Sequence, residues 1–339
     1  MLSSNFKKLA GTDPFTSIYG QDQAKHHLLS ALLMNRHIIL VGPPGIGKTT
    51  LAKNIAELLP DIETNDCAFH CDPKKPFCPA CKTQKPKTKK LTGTERFVRI
   101  QGSPDLTVED LLGDIDPIKA LKFGPLAVES FTPGKIFKAN SGVLFFDELN
   151  RCPEKLQNAL LQVLEEGKAT IGSYDLDLEA NFILIGTMNP EDFSGTEKLS
   201  EVLLDRFDLV PINYPETLEI EKRIVETKGE KLTEVQFPDP LLTMTIQFIQ
   251  DLRTNENLER VPSVRASLGL YERAQANAYL KKKKVVTMED VLDAFYSVVA
   301  HRIRLKPSVR YLMEPKEFLK KEFLQFKEAF EKETSQEFP

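Results

Sequence analysis

The sequence predicts an α/β domain with a largely parallel central sheet and a phosphate-binding loop, followed by a small all-helical domain. Three observations predict it. Short apolar, β-branched runs alternate with longer helical patterns through the first two-thirds of the 339-residue chain. A glycine-rich stretch at 42–49 lies between such a run and a helical pattern. After Pro211 the strand-like runs give way to apolar residues at helical spacing. The length also exceeds what one compact core usually holds, so two domains are expected.

The elements follow in order. Gln21–Asn35 reads as a helix ahead of the strand His37–Val41, and Thr49–Leu59 as the helix after the glycines. Arg96–Ile100, Val143–Phe146 and Phe182–Ile185 read as further strands, with Glu154–Glu165 as a helix. Their continuous apolar character suits a sheet covered on both faces. Beyond Pro211, Leu218–Val225, Leu241–Asp251, Ser263–Lys281 and Thr287–Arg304 read as helices, the last opened by a capping box with Thr287 as N-cap and Asp290 at N3. The expected domains are residues 1–212 (α/β core, with a cysteine-rich insertion at 67–90), 213–306 (helical) and 307–339 (a helical tail). In the tail, Leu319, Phe323, Phe326 and Phe330 make a narrow apolar stripe expected to dock on its own domain.

Composition sets limits. Lys plus Arg is 45 and Asp plus Glu is 49, a net charge of −4. That argues against nucleic-acid binding through a whole-protein basic field, while a local basic patch stays compatible. With 41% hydrophobic and 28% charged residues the chain is too apolar for wholesale disorder. No apolar run has the length of a membrane span, and residues 1–15 carry no apolar signal core, so the expected location is cytoplasmic.

Gly42, Pro43, Pro44, Gly45, Ile46, Gly47, Lys48 and Thr49, with Thr50 next, fit the phosphate-loop pattern. The glycines let the backbone turn its N–H groups toward an anion at a helix start, where the dipole favours negative charge. Lys48 is expected to reach the terminal phosphates of a nucleotide, and the Thr49 hydroxyl to ligate Mg²⁺. About a hundred residues on, an apolar strand ends in Asp147 and Glu148. An Asp at such a strand end can hold Mg²⁺, and the neighbouring Glu can take a proton from the attacking water. The strand 181–185 runs on to Asn189, an amide able to hold that water or the γ-phosphate, and Arg206 follows. Arg206 either neutralises charge on a transferring phosphoryl group or makes a structural contact with Asp205.

Cys67, Cys71, Cys78 and Cys81 cluster between the phosphate-loop helix and the next strand, with His70 as a spare nitrogen. Four thiolates suit a closed tetrahedral Zn²⁺ site, with an iron–sulfur centre or no metal as alternatives. Lys82, Lys85, Lys87, Lys89 and Lys90 follow, either as a solvated flexible loop or as a phosphate- or nucleic-acid-binding patch. Lys281–Lys284 reads as a helix-end charge run, explained by cations at a helix C-terminus.

In combination these motifs resemble the AAA+ ATPases, and within them the I subunit of magnesium chelatase and its MoxR-type relatives. Ile18–Gln21 is similar to the segment that lies on the adenine, which implies roles for Tyr19 and Gly20. Leu112–Asp116 and Phe131–Asn140 resemble the insertion that precedes the chelatase Walker B strand. Asp147–Arg151 and Lys168–Gly172 look more like MoxR, and Val261–Ala266 and His301–Arg304 resemble the helical lid of both. The resemblance implies that Asn189 is sensor 1, Arg206 an arginine finger and Arg265 sensor 2 acting in cis or in trans, with Arg151 a further interface candidate. It also implies a ring, usually a hexamer, with ATP between subunits and loops around 107–138 and 166–178 carrying the motion to a partner. Relatives of this kind commonly work with a partner bearing a von Willebrand A domain. The function implied is an ATP-driven motor that remodels a protein or drives metal or cofactor insertion. The rival is a nucleic-acid-stimulated motor or loader of helicase type.

Overall fold

The computed structural model describes residues 6–7, 12–83, 86–125, 127–170, 177–189 and 199–336. It divides into two compact units, residues 1–43 with 47–212, and residues 213–339 with 44–46. In the first unit five parallel strands, β1 (His37–Val41), β2 (Phe97–Gln101), β3 (Val143–Asp147), β4 (Ile183–Met188) and β5 (Phe207–Pro211), lie in the order β5-β1-β4-β3-β2. The inner strands are buried nearly throughout, so their sequences are continuous apolar runs. Helices α1 (Asp22–Leu33), α2 (Lys48–Glu57) and α3 (Glu154–Glu166) belong to this unit. The expected α/β core and the helical unit that follows it are both present.

Strand β5 was not among the sequence candidates. As an edge strand it is only half buried, so it carries Asp208, paired with Arg36 at 2.9 Å, and closes on Pro211. Arg96, expected to open β2, instead precedes it as a fully buried guanidinium. It donates to the carbonyls of Thr92 (3.2 Å), Ser141 and Pro60, which pins the entry of β2 to the chain ahead of β3.

The stretches expected as loops contain hairpins. Gly113–Ile115 pairs with Phe131–Pro133 around a short helix, Pro117–Phe123, and Lys168–Thr170 pairs with Asp177–Glu179. Ile171, Gly172, Lys85 and Pro190 lie outside the described residues. Ile62–Asn65 pairs with Thr88–Leu91, which puts Lys89 and Lys90 on a strand with Asp66 and Asp61 as partners, both at 2.8 Å, rather than in a flexible loop.

The second unit contains α4 (Leu218–Lys228), α5 (Asp239–Thr254), α6 (Val264–Leu280), α7 (Met288–Val299) and α8 (Pro315–Gln336). The capping box of Thr287 and Asp290 forms as expected. Asp290 also receives Lys281 and Lys283 at 3.1 and 3.2 Å, so the charge run is held by the acidic first turn of α7 and not by a helix C-terminus alone. The last predicted helix stops at Val299, after which Arg304–Leu305 pairs with Leu258–Arg260. Fully buried Glu221 accepts two bonds from Arg253 at 2.6 and 2.7 Å and one from Ser267 at 2.6 Å, tying α4, α5 and α6 together. Phe318, Leu319 and Phe323 of α8 share a core with Phe248 and Phe295, so the tail stripe packs against its own unit.

His37 gives the sheet a pH dependence. Burial between Phe182 and Phe207 lowers its pKa from 6.5 to about 4, and its Nδ1 accepts the Leu184 N–H at 3.0 Å. Between those pH values the unfolded chain binds the proton and the folded chain does not. Stability present above pH 6.5 is therefore lost as pH falls toward 4, by about 3 kcal/mol in all. Urea unfolding from pH 7 to 4 should show this slope, and His37→Asn, which keeps an acceptor but does not titrate, should flatten it. Equal slopes in the two proteins would refute the assignment.

Candidate nucleotide site and four-cysteine cluster

Gly42–Thr49 leaves the carboxyl end of β1 and turns into α2. Gly45 and Gly47 take φ values of 82° and 94°, a left-handed conformation costly for any side chain, and Gly47 is the N-cap of α2. The turn thereby leads its N–H groups into a helix N-terminus, the arrangement an anion requires. The Lys48 ammonium donates to the carbonyls of Gly42 and of Pro43, the latter at 3.1 Å. Thr49 is half-buried and Thr50 exposed on the first turn of α2. Tyr19 and Gly20 lie just ahead of α1, in a segment tied to α2 by a hydrogen bond from Ser17 to Asn54.

The strand order brings the other predicted residues to the same sheet end. Val41 of β1 faces Met188 of β4, and the Gly42 N–H donates to the Met188 carbonyl at 3.1 Å, so Asn189 emerges beside the phosphate loop. Asp147 ends β3, the strand on the other side of β4. Thr187 links them: its hydroxyl donates to Asp147 Oδ1 at 2.7 Å and accepts the Glu148 N–H at 2.8 Å. Glu148 holds a left-handed φ of 57°, and a Cβ on Gly102 would stand 2.1 Å from its carbonyl oxygen, so only glycine fits there.

A polar chain runs from this pair along the edge strand. Arg99 donates to Asp147 Oδ2 at 2.6 Å and to Gln101 Oε1 at 3.3 Å. Gln101 donates to Glu148 Oε2 at 3.0 Å, and Arg151 pairs with the same oxygen at 3.2 Å. Sequence reasoning missed Arg99, Gln101, Gly102 and Thr187. The one readable signal was Thr187, a hydroxyl at the end of an otherwise apolar strand.

Arg206 is placed elsewhere. It precedes Phe207, which faces His37 at the start of β1, whereas the phosphate loop leaves from Val41, opposite Pro211. The five residue steps from Arg206 to Pro211 imply roughly 16 Å along the sheet. Its guanidinium pairs with Glu165 of α3, not with Asp205, and its buried Nε finds no acceptor among the described residues. Arg265 is exposed in the first turn of α6 in the second unit.

Cys67, Cys71, Cys78 and Cys81 come together, all four sulfurs within 4.8 Å of one another. Cys71 and Cys78 are fully buried, and His70 is not one of the four. The Cys71 thiol donates to the Cys67 sulfur, which lowers the Cys67 pKa and raises that of Cys71, and burial pushes Cys81 up to about 12. Four sulfurs this close cannot all ionise without a cation among them. One tetrahedral zinc at about 2.3 Å from each sulfur spaces them about 3.8 Å apart, so the set fits a single ion; interposed irons of a cluster would spread them further. Cys152 stands apart, fully buried, its thiol raised to about 12 by burial. The loop, Lys48, Thr49 and the half-buried Asp147 likewise fit a magnesium–triphosphate group.

Three family models match the chain: the magnesium chelatase subunit ChlI over residues 14–72, the ATPase family associated with various cellular activities (AAA) over 78–209, and an AAA lid domain over 252–320. The chain is 28% identical to a magnesium-chelatase subunit ChlI homolog of Methanocaldococcus jannaschii, across 96% of this chain and 93% of that protein. It is 27% identical to the magnesium-chelatase 38 kDa subunit of Acidiphilium rubrum, across 87% of this chain and 92% of that protein. A solved structure of the complex between subunits BchI and BchD of magnesium chelatase contains a chain 21% identical, covering 88% of this chain and 98% of that one, with a TM-score of 0.49.

The Thr187 bridge is testable by itself. Thr187→Val keeps the shape but leaves the Glu148 N–H without its acceptor, at a cost of about 1–3 kcal/mol in urea unfolding, and Thr187→Ser should recover most of it. A Val variant as stable as the parent would show that the bridge contributes nothing.

Proposed function

The chain is a AAA+ ATPase of the magnesium chelatase ChlI and MoxR-like type, and on that premise we propose that it is an ATP-hydrolysing motor that remodels a partner protein or drives metal insertion into a cofactor. One observation supports this above the others: Lys48, Asp147, Glu148 and Asn189 converge on the carboxyl ends of three laterally adjacent strands. Ligand crevices of open α/β sheets form at such strand ends.

Mg²⁺·ATP supplies the phosphoanhydride whose cleavage powers the motion. The backbone of 42–49 and the N-terminus of α2 cradle the phosphates. Lys48 moves its ammonium from the loop carbonyls to the terminal oxygens, and Thr49 and Asp147 hold the magnesium. Glu148 releases Gln101 and Arg151 and accepts the proton of the attacking water, which Asn189 orients. Tyr19 and Gly20 line the base. Arg206, some five residues along the sheet from its own loop, serves the nucleotide of a neighbouring copy, which calls for a head-to-tail ring such as a hexamer. Arg265 acts as sensor 2, in cis or in trans. The partner is a protein, of the von Willebrand A class or a larger chelatase subunit, and the location is cytoplasmic. The four cysteines hold a structural Zn²⁺. Lys89 and Lys90 are engaged by Asp66 and Asp61, which weakens the case for a nucleic-acid patch.

Glu148→Gln should bind Mg²⁺·ATP within about threefold of the parent while phosphate release slows by roughly 10² or more. Turnover near the parental rate would remove Glu148 from the mechanism. Arg206→Ala and Lys48→Ala should each be nearly inactive alone, yet their mixture should regain activity, because some interfaces then pair an intact loop with an intact arginine. If assemblies shown by native mass spectrometry to be mixed stay inactive at every ratio, the shared pocket is wrong.

A further inference from the structure

We propose that the zinc in the four-cysteine cluster braces the insertion of residues 111–140, so that the metal fixes the base from which the exposed tip of the insertion projects. The inference rests on the zinc reading above. It starts from where the cluster sits. The cysteines share a hydrophobic core with Leu111, Phe131, Ile136, Phe137 and Ala139 of the insertion, and with Leu144 and Phe146 of β3.

Phe69, between two of the ligands, is the connecting piece. Its ring stacks on Phe131 at 6.4 Å and meets Phe137 edge-on at 5.5 Å, while Phe77 packs on it at 5.8 Å. Its carbonyl accepts a bond from Asn140 Nδ2 at 3.3 Å, and Asn140 Oδ1 accepts the Asn181 N–H just ahead of β4 at 3.1 Å. The short helix that carries Cys81, Pro79–Thr83, packs against the turn Val128–Ser130.

The segment 66–83 packs on that core but has little regular secondary structure of its own. It contains one isolated bridge, Asp72 to Lys75, and that five-residue helix. A closed four-ligand site supplies folding free energy to such a segment. The rigidity it provides passes through Phe69 to the hairpin of Gly113–Ile115 and Phe131–Pro133. At the far end of that hairpin, helix Pro117–Phe123 buries none of its residues and leaves Ile118 and Leu121 at 80% and 91% exposure. A projecting apolar tip is mechanically useful only when its base is fixed.

Three measurements on the full chain test this. Metal analysis of protein never exposed to chelator should find about one zinc per chain. Hydrogen exchange should then be compared before and after the zinc is stripped with a thiol-reactive mercurial and chelator. Peptides within 111–140 should exchange at least tenfold faster without zinc, with β1 and α6 unchanged and Mg²⁺·ATP affinity within about twofold. Phe69→Ala should retain the zinc and still loosen 111–140, whereas Cys81→His, which keeps a ligand, should preserve both. Less than half an equivalent of zinc, or the visible absorbance of an iron–sulfur centre, overturns the zinc reading and the brace with it. Zinc present but exchange in 111–140 indifferent to its removal overturns the brace alone. Loosening spread equally over β1 and α6 makes the ion a general stabiliser and also rejects the brace.

Discussion

The site depends on the register of three parallel strands. Leu40 of β1 faces Thr187 of β4, and Gly186 of β4 faces Phe146 of β3, so the three strands end at one level. At that level Thr187 reaches across to Asp147 and holds the backbone of Glu148 in a left-handed turn. Side chains alternate along a strand, so a slip of one residue in β4 would send the Thr187 hydroxyl to the opposite face and shift Asn189 by about 3.3 Å. Burial on both faces guards against that slip, since every residue from Ile183 to Thr187 is buried.

Electrostatics around the acidic pair is arranged for exchange. Asp147 is paired with Arg99 of β2, and Glu148 is held by Gln101 of β2 and paired with Arg151 of the turn that follows it. Arg99 and Arg151 are about half exposed. Ion pairs so open to water contribute little stability, so a bound cation can displace them at small cost. The contrast lies in the helical unit. There the Glu221–Arg253 pair is almost fully buried, and Glu221 also accepts from Ser267 and Gln250, which suits a fixed joint.

Buried polar groups elsewhere mark the points where irregular chain is fastened to the sheet. Arg96 gathers three carbonyls from three segments, and Asn140 joins the cysteine-rich segment to the approach of β4. Each replaces hydrogen bonds that a loop would otherwise make to water. The insertion and the cysteine-rich segment are therefore part of the core around β3, although neither belongs to the sheet.

The phosphate loop, the acidic pair, the cysteine cluster, four of the five sheet strands and the helices of the second unit were legible in the sequence. Each is written locally: glycines at fixed spacing, apolar runs of strand length, apolar residues at helical period, thiols a few residues apart. What was not legible depends on partners distant in sequence. Strand β5 stayed hidden because a half-exposed edge strand needs no continuous apolar run. Arg99 and Gln101 gained their place only when β2 paired with β3, some 45 residues further on. Arg206 could be marked as a charge of interest, but that it stands at the other end of the sheet from its own phosphate loop followed from the strand order alone. The sequence by itself determined which chemical groups are present and which local shapes carry them. The tertiary structure decided which of them meet, because strand order and register are set by the packing of the whole core.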